Sequence, residues 1–383
     1  MGKRELLIAA VFLVLGFGVY HLTAPPADPS SRGFSIGRAI DGIRREVRGQ
    51  RATAETTFTA TRAVPDTIHE IRLTFSVGEI TVIGEDREDV QAEMHVRSTG
   101  YDAAEAQRLA KASILTFDES GPLLIIAGKF PVEGRQTPTV RLKVPARLGI
   151  RIDERGSSLQ ISSVASVLIG GGRGSSTIER IAGNVTVAQR GSEITISDVG
   201  SLKLSMFSGA EAKVAKVRGD AVFSLQGGEL RAQELGGALQ VESRNAEMQF
   251  DKLDGLKAPV RVDVTGGEVI FIGLRADARI DARRADVRID HAGGAPLSVY
   301  NEGEETIEVT VPPGGFSMDA VAVEGDISLD QKLEGSGLKR DAVGGDDERS
   351  NTRQETRVTG TVRGGGAPIT LRATRGDIVL RAR

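Results

Sequence analysis

Cysteine and tryptophan are absent from the 383 residues, and the chain has only 3 Tyr and 12 Phe. Without cysteine there is no disulfide, no thiolate metal site, no cysteine nucleophile and no lipid-modified N-terminal cysteine. The absence of cysteine does not identify the cellular compartment, because a cysteine-free chain is compatible with an oxidising space and with the cytoplasm. The scarcity of aromatic residues predicts a core built mainly of Val, Ile, Leu and Ala.

Catalytic signatures and an excess of charge are also missing. The formal net charge is −3, which gives no general reason to expect a nucleic acid as partner, and we predict none. The 4 histidines are scattered, H-E-x-x-H does not occur, and the single G-x-S-x-G match, "GFSIG" at residues 33–37, lies between the N-terminal apolar run and the alternating segments. We therefore predict no enzyme activity, no catalytic residue and no cofactor. A polysaccharide-active β-helix enzyme stays open as an alternative, because carboxylates are plentiful.

Glycine is abundant, with 47 residues, and the chain is 39% hydrophobic and 26% charged. Apolar and charged fractions of this size are typical of a folded chain. Frequent turns between short apolar stretches indicate a many-stranded β protein.

One long apolar run stands at the N-terminus, "LLIAAVFLVLGFGVYHL" at residues 6–22. As a helix it would span about 26 Å, enough to cross a bilayer. A cleaved signal peptide has a similar layout, but Pro25 and Pro26 follow and an A-x-A-like cleavage site is missing. We predict an uncleaved single-pass anchor over residues 1–24, with the membrane as partner through residues 6–22.

The orientation of this anchor rests on its flanking charges. Lys3 and Arg4 favour a cytoplasmic N-terminus and an exported C-terminal domain, whether periplasmic or extracellular. Six arginines between residues 32 and 51 lie on the C-terminal side of the apolar run and favour the opposite orientation. The predicted linker over residues 25–55 holds these arginines, and its apolar residues at near-helical spacing could also lie on anionic lipid. A domain facing the cytoplasm, acting as an envelope-stress or regulatory accessory, remains the alternative.

Residues 56–154 alternate apolar and polar side chains with period two, as in "EIRLTFSVGEITVIG" at residues 70–84. This pattern predicts half-buried strands. The segment 102–114, "DAAEAQRLAKASI", breaks the alternation and predicts one soluble helix.

Residues 155–329 are repetitive. A small residue, an acid and an apolar alternation return in steps of 18, 18, 18, 21 and 18, with acids at Glu193, Glu211, Glu229, Glu247, Glu268 and Asp286. A second alternating strand precedes each acid, and its expected inward residues are Val185, Val187, Leu202, Leu204, Met206, Ala221, Phe223, Leu225, Leu239, Val241, Val260, Val262, Val264, Ala278 and Ile280. We predict a stacked β-solenoid, β-helix-like or β-roll-like, with about 18 residues per coil and coils about 4.8 Å apart. Residues 330–356 lack periodicity and predict a flexible loop, and residues 357–383 predict strands that close the solenoid.

The acid column is the sharpest candidate site. Carboxylates stacked about 4.8 Å apart repel one another, so either a cation or local positive charges must compensate them, or they diverge into water. Lys213, Arg231 and Arg288 stand two residues beyond three of the acids, within diagonal reach of acids on adjacent coils. We expect a solvated, partly paired ladder, with a weak cation site as the minority hypothesis and no metal otherwise.

Glycine-rich "GGGRGSS" at residues 170–176 resembles a phosphate-binding loop only in its glycines. It lacks a Lys-Ser/Thr ending, and no helix is predicted after it. We expect a wide turn of the solenoid.

Taken as a set, these segments resemble a family of bacterial β-strand-repeat domains of unknown function labelled "putative adhesins". The matching parts are "GEITV", the helix at 102–114, "LKVPARLGIRI" at 142–152, the glycine-acid turns and the terminal "GGGAPITLRATRGDIVL". The resemblance covers residues 56–383. It implies a stacked β-solenoid, often membrane anchored, and supplies no catalytic residues. We predict a non-catalytic, membrane-anchored, adhesin-like scaffold or interaction module with a protein or polysaccharide partner at the cell envelope.

Overall fold

The computed structural model describes residues 52–75, 77–153, 156–343 and 354–383. Strands make up 67% of these residues, joined in one 26-stranded sheet beside a single α-helix, which confirms the predicted all-β class. The predicted anchor at residues 1–24 and the linker up to residue 51 lie outside the described residues. Within the described ranges, no helix is long and apolar enough to cross a membrane.

The N-terminal part contains ten strands and the helix. In chain order they are β1 (Ala52–Ala63), β2 (Glu70–Thr74), β3 (Gly78–Glu85), β4 (Asp89–Gly100), α1 (Ala103–Lys111), β5 (Ile114–Ser120), β6 (Leu123–Lys129), β7 (Gln136–Pro145), β8 (Gly149–Ile152), β9 (Ser157–Ser162) and β10 (Ser166–Ile169).

The repetitive part and the C-terminus contain sixteen more strands and a short 3-10 helix, Leu253–Gly255. The strands are β11 (Ser176–Arg190), β12 (Glu193–Phe207), β13 (Glu211–Val217), β14 (Ala221–Leu235), β15 (Leu239–Asp251), β16 (Val260–Leu274), β17 (Ala278–Arg283), β18 (Asp286–His291), β19 (Leu297–Glu302), β20 (Ile307–Val311), β21 (Phe316–Val323), β22 (Ile327–Leu329), β23 (Leu338–Val343), β24 (Glu355–Val362), β25 (Ala367–Thr374) and β26 (Ile378–Ala382).

Strand pairing in the repetitive part is parallel and follows the predicted 18-residue step. Glu193 pairs with Glu211 and Glu211 with Glu229. Each repeat adds one strand to each of two faces. The A face contains β2, β8, β10, the C-terminal halves of β11 and β12, the N-terminal halves of β14 to β16, then β17, β19, β25 and β21. The B face contains β3, β9, the N-terminal halves of β11 and β12, β13, the C-terminal halves of β14 to β16, then β18, β20, β26 and β22.

The core lies between the two faces, and all fifteen residues predicted to point inward are buried. Its largest side chains stack across repeats. The rings of Phe250 and Phe271 lie 4.9 Å apart and nearly parallel, and Phe223 approaches Phe250 from the A face at 6.0 Å. Because every repeat contacts mainly its neighbours, stability builds up along the stack from one repeat to the next.

Antiparallel strands cover the N-terminal end of the stack. β1 pairs with β4 and β4 with β7 on one side, and β5 pairs with β6 on the other. Helix α1 packs on β1 and β4 through Ala106, Leu109 and Ala110. Asp102 caps it by accepting a 2.8 Å hydrogen bond from the Glu105 N–H, as the predicted helix start at residue 102 requires. These additions shield the parallel repeats from open-ended pairing with other chains.

The C-terminal end departs from the predicted order. β25 lies between β19 and β21, and β26 lies between β20 and β22. The last coil is thus inserted between two segments that precede it in the sequence, instead of closing the stack as predicted. The similar segments "EGDISL" at residues 324–329 and "RGDIVL" at residues 375–380 lie side by side, and the Asp326 N–H donates to Asp377 Oδ1 at 2.8 Å.

Two predicted boundaries are also corrected. β1 begins at Ala52, inside the predicted linker 25–55, because its alternation continues upstream through small residues that carry a weak apolar signal. The predicted flexible loop 330–356 contains β23, which pairs antiparallel with β24. β23, "LKRDAV", was missed because it is short and polar and pairs on one side only within the described residues.

Candidate functional site

The predicted acid column forms one continuous ladder on the B face. Each acid pairs in register with the next, from Glu193 through Glu211, Glu229, Glu247 and Glu268 to Asp286. The glycines before the acids make the corner. Gly266 and Gly267 have φ of 68° and 89°, and a Cβ on Gly267 would lie 2.2 Å from the Ala246 oxygen. Only glycine both adopts a positive φ without strain and leaves room for the Ala246 oxygen at that point.

Positive side chains compensate part of this ladder, as the sequence predicts. Lys213 Nζ lies 3.1 Å from both Glu193 Oε1 and Glu211 Oε1, and these hydrogen bonds raise the pKa of Lys213. Arg288 reaches back to Glu268 at 3.3 Å. These contacts confirm diagonal pairing between adjacent coils.

Arg231 behaves differently. Its partner is Glu229 of its own coil, at 2.6 Å, and not an acid of an adjacent coil. In the register Arg231 stands directly beside Lys213, which already occupies the carboxylates of the previous coils. Like charges side by side are unfavourable, so Arg231 turns to the nearest acid on its own strand.

No group of three or more His, Cys, Asp or Glu side chains in the described ranges is arranged to hold a metal ion. The ladder carboxylates are spread along one row at the surface. Lys213 and Arg288 lie against Glu193, Glu211 and Glu268, where a bound cation would otherwise neutralise the carboxylates. The arrangement is that of an ion-paired surface.

A second charged column, which sequence reasoning missed, follows the opposite corner. Its members are Arg180, Asp198, Lys216, Glu234 and Lys252, with φ between 51° and 57°. Their signs alternate along the stack, and Lys216 lies 3.2 Å from Asp198 while Lys252 lies 3.4 Å from Glu234. The sequence signal is a charge that alternates in sign every 18 residues, at positions 180, 198, 216, 234 and 252.

The glycine-rich segment 170–176 forms a corner, as expected, and strand β11 follows it instead of a helix. It borders a cavity of about 560 Å³ together with Arg173, Arg190 and Phe207. The dipole of a following helix, which phosphate-binding loops use, is therefore missing at this corner.

The three histidines within the described residues lie on separate elements. His95 contacts Thr57 and Glu55 at the edge formed by β1 and β4. His291 is fully buried, with its ring nitrogens 3.2 Å from the Leu274 oxygen and 3.0 Å from the Ala295 oxygen. Burial lowers the pKa of His291, and the two carbonyl oxygens oppose that shift. These two hydrogen bonds connect the end of β18 to the turn before β19 and to Leu274.

A cavity of about 750 Å³ is a groove across the outer surface of the A face. We call it the A-face groove. It crosses β15, β16, β17, β19 and β25, and its floor has two columns, one containing Arg261 and Arg279 and the other Glu242, Asp263 and Asp281. Prolines at the strand starts border one side: Pro259, Pro296 and Pro368.

Fold and surfaces together define a repetitive all-β protein of parallel stacked strands, with polar side chains in register along both outer faces. No protein-family model matches the chain, and no curated protein matches it. A crystal structure of a "putative cell adhesion protein" from Clostridium sporogenes aligns with 87% of this chain and 100% of its own, at 10% identity and a TM-score of 0.21. A TM-score of that size does not define a common fold.

Proposed function

We propose that this protein is a membrane-anchored β-solenoid that serves as a non-catalytic, adhesin-like scaffold at the cell envelope. The observation that carries the proposal is the in-register stacking of outward polar side chains on the A and B faces. Such faces repeat one set of donors and acceptors every 4.8 Å or so along the stack. A surface of this kind suits contact with an extended partner.

Rigidity supports the same role. The described repeats share one continuous apolar core, and the N-terminal end of the stack is covered by antiparallel strands. A scaffold that holds a binding face away from a membrane needs this stiffness more than it needs a deep cleft. The apolar run at residues 6–22 would fix the chain to the membrane, and the Pro- and Ser-rich residues 23–33 would set the distance.

Anchoring is tested by extraction of the full chain from cell membranes at alkaline pH. We expect the protein to stay with the membrane pellet, and a variant lacking residues 6–22 to move to the supernatant. Release of the full chain under the same conditions would contradict the anchor.

The non-catalytic role is tested by a hydrolysis screen with the full chain on cell-wall and plant polysaccharides. We expect no turnover. Turnover that disappears when one pair of neighbouring carboxylates is removed would replace the scaffold with the polysaccharide-active enzyme.

A further inference from the structure

The A-face groove combines stacked like charges with side chains that have no ion-pair partner among the described residues. Glu242 pairs in register with Asp263, and Asp263 with Asp281, so three carboxylates stand on adjacent strands. Arg261 and Arg279 form the neighbouring column in the same way. Like charges opposite each other on a sheet are destabilising, and this cost is repeated here in both columns.

Compensation inside the groove is incomplete. Arg279 binds Asp281 at 2.9 Å. Glu242, Arg261 and Asp263 make no ion pair with any described residue and are exposed. The acid ladder of the B face is different, because Lys213 bridges Glu193 and Glu211 and Arg288 pairs with Glu268. The groove therefore presents acceptors and donors that remain available to a ligand.

An aromatic ring stands at the end of the carboxylate column. Tyr300 pairs in register with Asp281 and is 42% exposed, the most exposed aromatic side chain of the described residues. On its other side stands Arg372, which Asp319 holds at 2.5 Å. Tyr300 is thus flanked by two residues whose own positions are fixed by ion pairs. An exposed tyrosine offers an apolar face and a hydroxyl to one ligand at low entropic cost.

We infer that the A-face groove binds an uncharged polysaccharide chain that lies along the stacking axis. Sugar hydroxyls both donate and accept, so one unit can donate to a carboxylate and accept from a guanidinium in the next column. The apolar face of a sugar ring packs on Tyr300. Five strands at about 4.8 Å spacing give a binding length of about 19 Å, which suits a polymer with repeating units.

The charge of the groove selects against acidic polymers. Four acids (Glu242, Asp263, Asp277 and Asp281) and two arginines (Arg261 and Arg279) give 2 − 4 = −2. Acidic polysaccharides and nucleic acids would be repelled. A peptide added as a further strand needs a free sheet edge, whereas the groove lies on the face of strands that are paired on both sides. The inference gives a ligand class to the interaction role proposed above and depends on that role.

Native affinity electrophoresis of the full detergent-solubilised chain tests the inference. The gels contain laminarin, xyloglucan or soluble starch, with polygalacturonate and polylysine as charged comparisons. We expect retardation by at least one uncharged polysaccharide and none by polygalacturonate. Tyr300→Ala and Asp263→Ala should each weaken that retardation at least tenfold.

Glu247→Ala is the matched control, because Glu247 is an exposed acid on the B face without an ion pair among the described residues. It should bind as the unmodified chain does. Thermal unfolding of each variant shows that a loss of binding is not a loss of folding.

Retardation by none of the uncharged polysaccharides, or equally by polygalacturonate, would overturn the inference. The same holds for retardation by polylysine alone, which would indicate a basic protein partner, and for an equal loss in Glu247→Ala. Membrane extraction and the hydrolysis screen are independent of these results. Failure of the groove to bind any polysaccharide would therefore overturn this inference without contradicting the scaffold proposal.

Discussion

Leu371→Ala should loosen the whole C-terminal end of the stack, because the inserted strand that carries Leu371 connects that end to the rest. Leu371 is fully buried in β25, between Val299 of β19 and Ala320 of β21. In the described residues, β21 pairs only with β24 and β25, and β23 only with β24. β21, β23 and β24 are therefore joined to the repeats through β25.

The size of the effect follows from the cavity. A buried Leu→Ala change costs about 2–5 kcal/mol, and the higher values apply where neighbours cannot fill the space. Ala320 is too small to do so, and Val299 is held in its own strand. A loss of about 3 kcal/mol raises the population of the locally open state roughly 100-fold.

Hydrogen exchange followed by mass spectrometry measures where this opening occurs. We expect faster exchange in β25 and in β21, β23 and β24 together, with β11 to β14 unchanged. Leu204→Ala is the control, since Leu204 is equally buried but lies between Val187 and Phe223 in the sequential repeats. It should speed exchange around β12 and spare β21. If β25 exchanges faster in Leu371→Ala while β21, β23 and β24 keep their protection, the inserted position of the last coil is wrong.

Four further outcomes are expected. Gly267→Ala should destabilise the fold more than Gly273→Ala in urea unfolding, because both glycines have positive φ but only at Gly267 does a Cβ meet backbone at 2.2 Å; equal losses would contradict the corner geometry. Glu234→Lys should cost up to about 1 kcal/mol, less at high salt, because it replaces an ion-pair partner of Lys252 with a like charge; a loss that salt does not change would argue against the charged column. The hydrogen bond from Arg372 lowers the pKa of Asp319, so its stabilising effect is present above the unfolded-state pKa and is lost as the pH falls through the folded-state value; Asp319→Asn should flatten the acid limb of a stability-versus-pH curve, and an unchanged limb would refute this. The melting temperature should not change with Ca²⁺ or a chelator, since a shift with Ca²⁺ would restore the cation hypothesis.

Sequence reasoning reached the repeats because their physical signal is local and periodic. Alternation assigns inward residues such as Leu204 and Phe223, and a parallel stack preserves the spacing of Glu193, Glu211 and Glu229 as a register. The pairing of Lys213 with Glu193 of the previous coil followed from the same spacing, whereas its contact with Glu211 lies within one coil.

Spatial order at the C-terminus could not be read in this way. Every coil has the same apolar alternation, so the sequence does not distinguish β25 inserted between β19 and β21 from β25 added after β21. β23 and β24 precede β25 in the chain, and β24 pairs antiparallel with β21. β23 is short and polar, so its sequence gives little sign of a strand.

The groove was also beyond the sequence argument. Tyr300 is one of only 3 tyrosines in the chain, but its place beside Asp281 depends on the register of β17 and β19, which are 19 residues apart in place of 18. Without that register, the sequence gives no reason to place an aromatic ring beside these carboxylates.

Export of the stacked domain is the central claim, and one measurement addresses it directly. A protease added to spheroplasts of cells that make the full chain with an epitope tag after Arg383 reports which side of the membrane holds the C-terminus. The scaffold proposal predicts that the tag is cleaved in unlysed spheroplasts while a cytoplasmic marker stays intact. A tag that is protected until the membrane is lysed would contradict export and favour an accessory protein that faces the cytoplasm.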